Sequence, residues 1–166
     1  DVERAAHPER GALRALVEAQ KAGKARFLGF SGHRDPQTHL RMIAAHPWDA
    51  VQMPLNLLDA QYRSFEKAVL PACREKGIGV LGMKSLGGGG GTGAVPAATG
   101  VDWELCRRYA LSLPVSTVIC AMKSREEVRG MARIARGFEP LTAADVERLL
   151  EKTQTFAAHG RVEAYK

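Results

Sequence analysis

Apolar and polar positions change period several times along this chain. From Gly11 to Ala22, Leu13, Leu16 and Val17 fall at helical spacing and Gly23 closes the run, so a helix is expected. Ala25 to Phe30 reads as a short apolar strand. Asp35 and Pro36 have the form of an N-cap and a first helical residue, and open a helix carrying Leu40, Met42 and Ile43. Ala50 to Pro54 is expected to be a second strand. Ser64 to Lys76 is expected to be a helix with Phe65, Ala68, Val69, Ala72 and Cys73 on its buried side, bent or broken at Pro71. Ile78 to Gly82 reads as a third strand, followed by a glycine-rich stretch from Gly87 to Gly93. Asp102 to Leu111 is expected to be helical, Val115 to Cys120 a fourth strand, Arg125 to Ala135 a helix, and Thr142 to Ala157 a final helix with Thr142 as N-cap.

Each expected strand is short, almost continuously apolar and followed by a helix. Such strands are read as buried on both faces, in a parallel sheet covered by helices. The fold class is therefore α/β, with four βα units. Four parallel strands make either a small open sheet or half of an eight-stranded barrel, since a whole (β/α)8 barrel takes ~250 residues. The two raw edges of a half-barrel weigh toward the open sheet.

Composition narrows the partners. The 24 Lys and Arg against 18 Asp and Glu leave a net charge of +6, which suits an anionic partner such as a phosphorylated cofactor. The basic residues are scattered, with no run of five like charges, so nucleic-acid binding is not expected. No apolar run reaches 18 residues, so no membrane span is expected. Cys73, Cys106 and Cys120 are widely spaced and read as small buried hydrophobes in a reducing, cytoplasmic setting. The opening Asp1-Val2-Glu3-Arg4 lacks an initiator Met, which is expected of a segment of a longer chain and leaves open an export signal upstream.

The candidate chemistry sits where strands end. Strand one is followed by Ser31-Gly32-His33, strand two runs Gln52-Met53-Pro54-Leu55-Asn56, strand three gives Met83-Lys84-Ser85-Leu86-Gly87, and strand four gives Met122-Lys123-Ser124. In parallel α/β folds, ligands bind at these C-terminal strand ends. The glycine run lets backbone N–H groups approach a phosphate, but it matches neither GxGxxG nor a P-loop, and a flexible loop accounts for it equally well. Lys123 and Ser124 precede a helix start, which suits an anion. Ser124 with Glu127 three residues on also reads as a capping box. His33 reads as polar surface more readily than as a substrate or cofactor contact. His7, His39, His46 and His159 show no metal spacing and read as structural or exposed. Asp59 and Glu66 read as loop and helix-face charge, and Tyr62, Tyr109 and Tyr165 as residues on or near helices, away from the strand ends.

In order, these pieces resemble the aldo-keto reductase family. Gly23 to His33 (GKARFLGFSGH) resembles its fifth strand and Val51 to Asn56 its sixth. Gly77 to Leu86 (GIGVLGMKSL) resembles the seventh, Thr117 to Val128 the eighth, and the tail Gly160 to Lys166 a GRxExYK ending. The resemblance spans essentially the whole chain and turns the preference to the barrel: it implies a (β/α)8 TIM barrel of which residues 1–166 form about the C-terminal half and carry most of the cofactor side.

The resemblance further implies hydride transfer from NADPH to the carbonyl carbon of a small aldehyde or ketone. It implies that Ser31 and Gln52 hold the nicotinamide carboxamide, with Gly32 beside them, and that Met83 lies at the nicotinamide. The diphosphate would run along Lys84, Leu86 and the glycines that follow, and the 2′-phosphate would meet Lys123 and Ser124, with Ser85, Gly88, Met122 and Glu127 also among the cofactor-binding residues. The chain departs from the family at Met83, where a flat Tyr is common, at Ala121, where Gly is usual, and at Gly130 and Met131, where a Glu-Asn pair contacts adenine. The catalytic Asp, Tyr, Lys and His of the family match no position here, so no catalytic residue is assigned and the segment alone is expected to be inactive. The alternatives are a stand-alone half-barrel that binds cofactor without catalysis, and a non-enzymatic open α/β domain.

Overall fold

The computed structural model describes residues 2–88 and 93–166. Its centre is a four-stranded parallel sheet in the order β1 (Gly29–Ser31), β2 (Ala50–Pro54), β3 (Gly79–Met83), β4 (Thr117–Val118). Right-handed crossovers between strands in simple sequence order carry every connecting helix to the same face. That is the barrel arrangement. A doubly wound sheet reverses its strand order midway, so the open-sheet alternative is set aside.

Helices α1 (Val2–Ala5) and α2 (Ala12–Lys21) precede β1. Then come α3 (Pro36–Ala45), α4 (Phe65–Glu75), α5 (Ala94–Thr99), α6 (Trp103–Ser112), α7 (Arg125–Arg136) and α8 (Ala143–Ala157). The polar starts read from the sequence do cap: Asp35 accepts from the Gln37 amide at 3.2 Å and Asp102 from the Glu104 amide at 2.7 Å. Thr142 and Asp145 form a reciprocal capping box. Each such cap contributes about 1 kcal/mol.

The main core lies between the sheet and α3–α4. Val51, Met53 and Leu55 pack there with Phe65, Val69 and Cys73. A second cluster joins Leu57, Leu58, Val95, Cys106, Tyr109 and Ala157 beneath the far end of the sheet, where α5, α6 and α8 meet. Cys73, Cys106 and Cys120 are free thiols. Burial pushes Cys73 up to about 11 and Cys106 up to about 12, so both stay protonated and inert, as their reading as small hydrophobes requires.

Several expectations are corrected. Strands one and four are shorter than read: Phe27 is 67% exposed and lies outside β1, and β4 keeps two residues. Within this chain each pairs with one neighbour, and only the stretch that meets that ladder is held. The strands are also not buried on both faces. In β2 and β3, Val51, Met53, Val80 and Gly82 are buried on the helix side, while Gln52, Leu81 and Met83 on the other side are half-buried. Gln52 and Met83 of that second face line a cavity. Pro71 does not break α4, which runs through it. Both Pro71 and Lys67, whose carbonyl loses its partner, are on the exposed side where water serves instead. Helices α1 and α5 were not foreseen. The second ends at Gly100, whose left-handed φ of 65° lets its N–H reach back to the Pro96 carbonyl at 3.0 Å.

Candidate functional site

The sheet register aligns the strand ends. Ser31 pairs with Gln52, Pro54 with Met83, and Gly82 with Val118. Beyond β3 the chain turns sharply: Lys84 takes a left-handed φ of 54° and its carbonyl accepts from the Gly87 amide at 2.7 Å. A non-glycine residue in that region costs of order 1–3 kcal/mol and persists only when its surroundings fix it. Here Asn56 does so, its Nδ2 donating to the Lys84 carbonyl at 3.3 Å. The Lys84 ammonium lies 4.5 Å above the centre of the Tyr165 ring.

A cavity of about 420 Å³ opens over these ends. It gathers most of the residues read from the sequence. Gln52, Met83 and Lys84 line it, with Ser85, Leu86 and Gly88 from the turn and Met122, Lys123 and Glu127 from the β4–α7 junction. Gln52 Nε2 donates to Met83 Sδ at 3.2 Å, which fixes the thioether against the sheet end. Ser124 lies outside it, in an adjoining basin shared with Met122 and Lys123 and flanked by Arg125 and Arg129. Ser124 caps α7, accepting from the Glu127 amide at 3.1 Å. The expected capping box is half-formed: the Glu127 carboxylate takes the Lys123 amide, at 2.7 Å, and not that of Ser124. Helix α7 thus presents its positive N-terminal end to the basin with two of its neighbouring amides engaged by side chains.

Ser31 and Gly32 stand apart. They line a separate groove of about 680 Å³ beside β1, with Leu13, Leu16, His33 and Trp48. Ser31 still neighbours Gln52 across the ladder, so the groove and the cavity meet along that strand pair. A side chain at position 32 would press on the His39 ring, its Cβ 2.6 Å from Cε1. His39 itself is buried between Phe30 and Phe65, with Nε2 3.3 Å from the Gln52 carbonyl. Burial lowers its pKa below the usual imidazole value, so it serves the core as a neutral ring. Gly89 to Thr92 of the glycine run lie outside the described residues.

Two expectations fail at this end of the sheet. Tyr165 is not remote from the strand ends. The tail folds back beneath them, and Tyr165 meets Asn56, Glu163, Lys84 and, through its carbonyl, the His33 ring at 3.0 Å. Burial and the Glu163 carboxylate push its phenol pKa up, so it remains a proton donor. Asp59 and Glu66 are not surface charges. Asp59 is buried against Lys166 at 2.7 Å, and Glu66 accepts from the Tyr109 hydroxyl at 2.7 Å.

Other lining residues were not read from the sequence as cofactor contacts, Trp103, Arg107 and Met131 among them. Trp103 and Met131 flank Gly130, whose Cα leaves room for the indole: a Cβ there would lie 2.7 Å from Cη2. Arg107 comes from the inward side of α6 and reaches Ser85 Oγ at 2.8 Å and the Ala121 carbonyl at 3.2 Å. Its only sequence signal is an Arg one step from Cys106 and two from Tyr109, on the apolar stripe of the helix.

Helix-covered parallel strands in sequence order, with a cavity at their C-terminal ends, define a barrel of the kind whose ligands bind at that face. Residues 4–98 match the aldo/keto reductase family, and the chain belongs to it. A Glycine max protein named probable aldo-keto reductase 1 is 40% identical over 87 residues, covering 51% of this chain and 23% of that protein. The holo form of an aldo-keto reductase from Bacillus halodurans superposes with a TM-score of 0.68 at 19% identity, over 94% of this chain and 59% of its own. A glycerol dehydrogenase from Gluconobacter oxydans does so with a TM-score of 0.60 at 20% identity, over 86% and 53%. At such identities the structural likeness speaks for the fold. The chain spans little more than half the length of these solved relatives and a smaller share of the curated one. Among the described residues, no helix is long and apolar enough to cross a membrane and no cluster of metal ligands occurs.

Proposed function

We propose that the full-length protein is an oxidoreductase that reduces a small aldehyde or ketone with NADPH, and that residues 1–166 supply the cofactor side of its barrel. The reading rests on one observation above the others: the cavity and its adjoining basin bring Gln52, Met83, Lys84, Lys123 and Ser124 from three strand ends onto one continuous surface. A cavity of about 420 Å³ alone suits a drug-sized ligand, and together with the basin it has room for a dinucleotide.

The residues fit the group. Gln52 offers an amide to the nicotinamide carboxamide, and Met83 a polarizable thioether to the ring. Lys84, Ser85 and Gly88 face a diphosphate. Lys123, Ser124 and Arg129 at the start of α7 offer charge and a hydroxyl to a 2′-phosphate. The indole of Trp103 with Met131 gives adenine an apolar wall in place of polar partners. Bound here, NADPH supplies the hydride that a carbonyl carbon accepts. Proton delivery is assigned to groups on other parts of the barrel: among the described residues the carboxylate that lines this cavity, Glu127, is engaged by the Lys123 amide at the start of α7.

The test is steady-state NADPH oxidation by the full-length protein across a panel of small aldehydes and ketones. Turnover with at least one class supports the reading. Inactivity across the whole panel, with cofactor bound, overturns it.

A further inference from the structure

Arg107 is a buried cation with no carboxylate of its own. It is 6% exposed, on the inward side of α6 beside Cys106 and Tyr109. Its hydrogen-bond partners, Ser85 Oγ, the Ala121 carbonyl and the Cys120 thiol, are all neutral, and its buried Nε has no partner. Among the described residues it makes no ion pair. Lys166, the other deeply buried cation, contrasts with it: that ammonium sits between Asp59 and Glu163. Glu127 is the one acid lining the cavity that Arg107 borders, and one of its oxygens is already engaged by the Lys123 amide. The same wall adds Lys84 and Lys123, so three cations face one carboxylate.

A guanidinium cannot escape burial by losing its proton. A charge held away from water needs a counter-charge or it destabilises the fold that holds it. A structural Arg would find that counter-charge among its neighbours, and among the described residues this one does not. Ser85 points to where it comes from. Its Oγ accepts from Arg107, which leaves its own O–H free to donate, and it lies on the tight turn after β3 at the cavity wall.

We infer that Arg107 and Ser85 form an anion-binding element in this cavity, built to take a phosphate or diphosphate group. Arg107 supplies the charge and ties the β3 turn to the end of β4, through Ser85 and Ala121. Ser85 supplies the donor. The identity of the anion's carrier as NADPH rests on the proposed function; the argument from the unpaired charge does not.

The test uses the full-length protein and two probes, inorganic pyrophosphate and NADPH, at low ionic strength. Affinities are measured by calorimetry for wild type, Arg107→Met, which keeps much of the volume and loses the charge, Arg107→Lys, which keeps the charge and loses the fork, and Ser85→Ala. Pyrophosphate should bind wild type and raise its melting temperature. Arg107→Met should bind it about tenfold more weakly or worse, with Arg107→Lys between and Ser85→Ala several-fold weakened. Pyrophosphate that fails to bind wild type, or binds Arg107→Met as tightly, overturns the inference. If Arg107→Met does not fold, wild-type affinity in both Arg107→Lys and Ser85→Ala overturns it. Pyrophosphate binding that depends on Arg107 without any NADPH binding upholds the anion site and sinks the NADPH reading. NADPH binding that is indifferent to Arg107 does the reverse.

Discussion

The Lys166 ammonium lies 2.7 Å from Asp59 Oδ1, and both side chains are closed to solvent at 1% and 0% exposure. Lys166 also meets Glu163 Oε2 at 2.9 Å and the Tyr62 carbonyl at 2.8 Å. Asp59 in turn accepts from the Phe65 and Glu66 amides at 3.2 and 3.0 Å, so one carboxylate anchors the tail and opens α4. Taking away the lysine leaves two buried carboxylates uncompensated. Lys166→Met should cost ~3–5 kcal/mol of unfolding free energy, and Asp59→Asn with Lys166→Met together should recover part of that loss. Urea titration of the full-length protein measures both. A single-variant loss under ~1 kcal/mol would show the pair to be energetically idle.

The same carboxylate sets a pH dependence. Burial pushes the Asp59 pKa from 3.8 up to about 6, ahead of the opposing pull of Lys166. In the folded state Asp59 therefore holds its proton at pH values where the unfolded chain has released it. Stability then rises as pH falls from about 6 to about 4, by up to ~3 kcal/mol for this group. Wild type minus Asp59→Asn isolates it from other titrations. The difference should move in favour of wild type on acidification. A flat difference between pH 7 and 4 would mean that Lys166 fully offsets the burial.

Asn56 ties the tail to the site. Its Nδ2 reaches Glu163 Oε1 at 2.9 Å, the Tyr165 hydroxyl at 3.1 Å and the Lys84 carbonyl at 3.3 Å, and its Oδ1 accepts from the Leu58 and Asp59 amides. Asn56→Leu strands several buried partners at once and should cost ~3 kcal/mol or more. It should also free the tail, so limited proteolysis should clip within residues 160–166 sooner than in wild type. Equal stability and equal cleavage would contradict the clamp.

Gly130 separates stability from binding. Alanine in a helix interior gains ~1 kcal/mol over glycine by propensity. A Cβ here meets the far edge of the Trp103 ring at 2.7 Å, and that ring can swing away. Gly130→Ala should therefore change the melting temperature by a few degrees at most. Trp103 should be displaced into the cavity, shifting its fluorescence and weakening NADPH several-fold. Unchanged affinity would remove Trp103 from the cofactor wall.

How much of this was legible in the sequence follows the range of the interactions. Capped helices are local devices, and Asp35 and Thr142 announced α3 and α8 within four residues of their partners. The strand ends were legible because the sheet register aligns the motifs that follow each strand. The burial of Asp59 was not, since its partner lies 107 residues away. Tyr165 was read as lying on or near a helix and stands at the strand ends in space for the same reason. Arg107 was hidden by its type, because a charged residue on a helix is read as surface until Ser85 and Ala121 are seen to enclose it. The β1 and β4 lengths were overread because an apolar run does not reveal how much of it meets a ladder partner.

The central claim is that the strand-end cavity of this chain holds NADPH with its 2′-phosphate on Lys123. Fluorescence titration of the full-length protein with NADPH and, in parallel, NADH tests it most directly, with wild type set against Lys123→Ala. Wild type should prefer NADPH, and Lys123→Ala should lose about tenfold in NADPH affinity while NADH binding barely moves. No NADPH binding by wild type, or an equal response of both cofactors to the substitution, would contradict it.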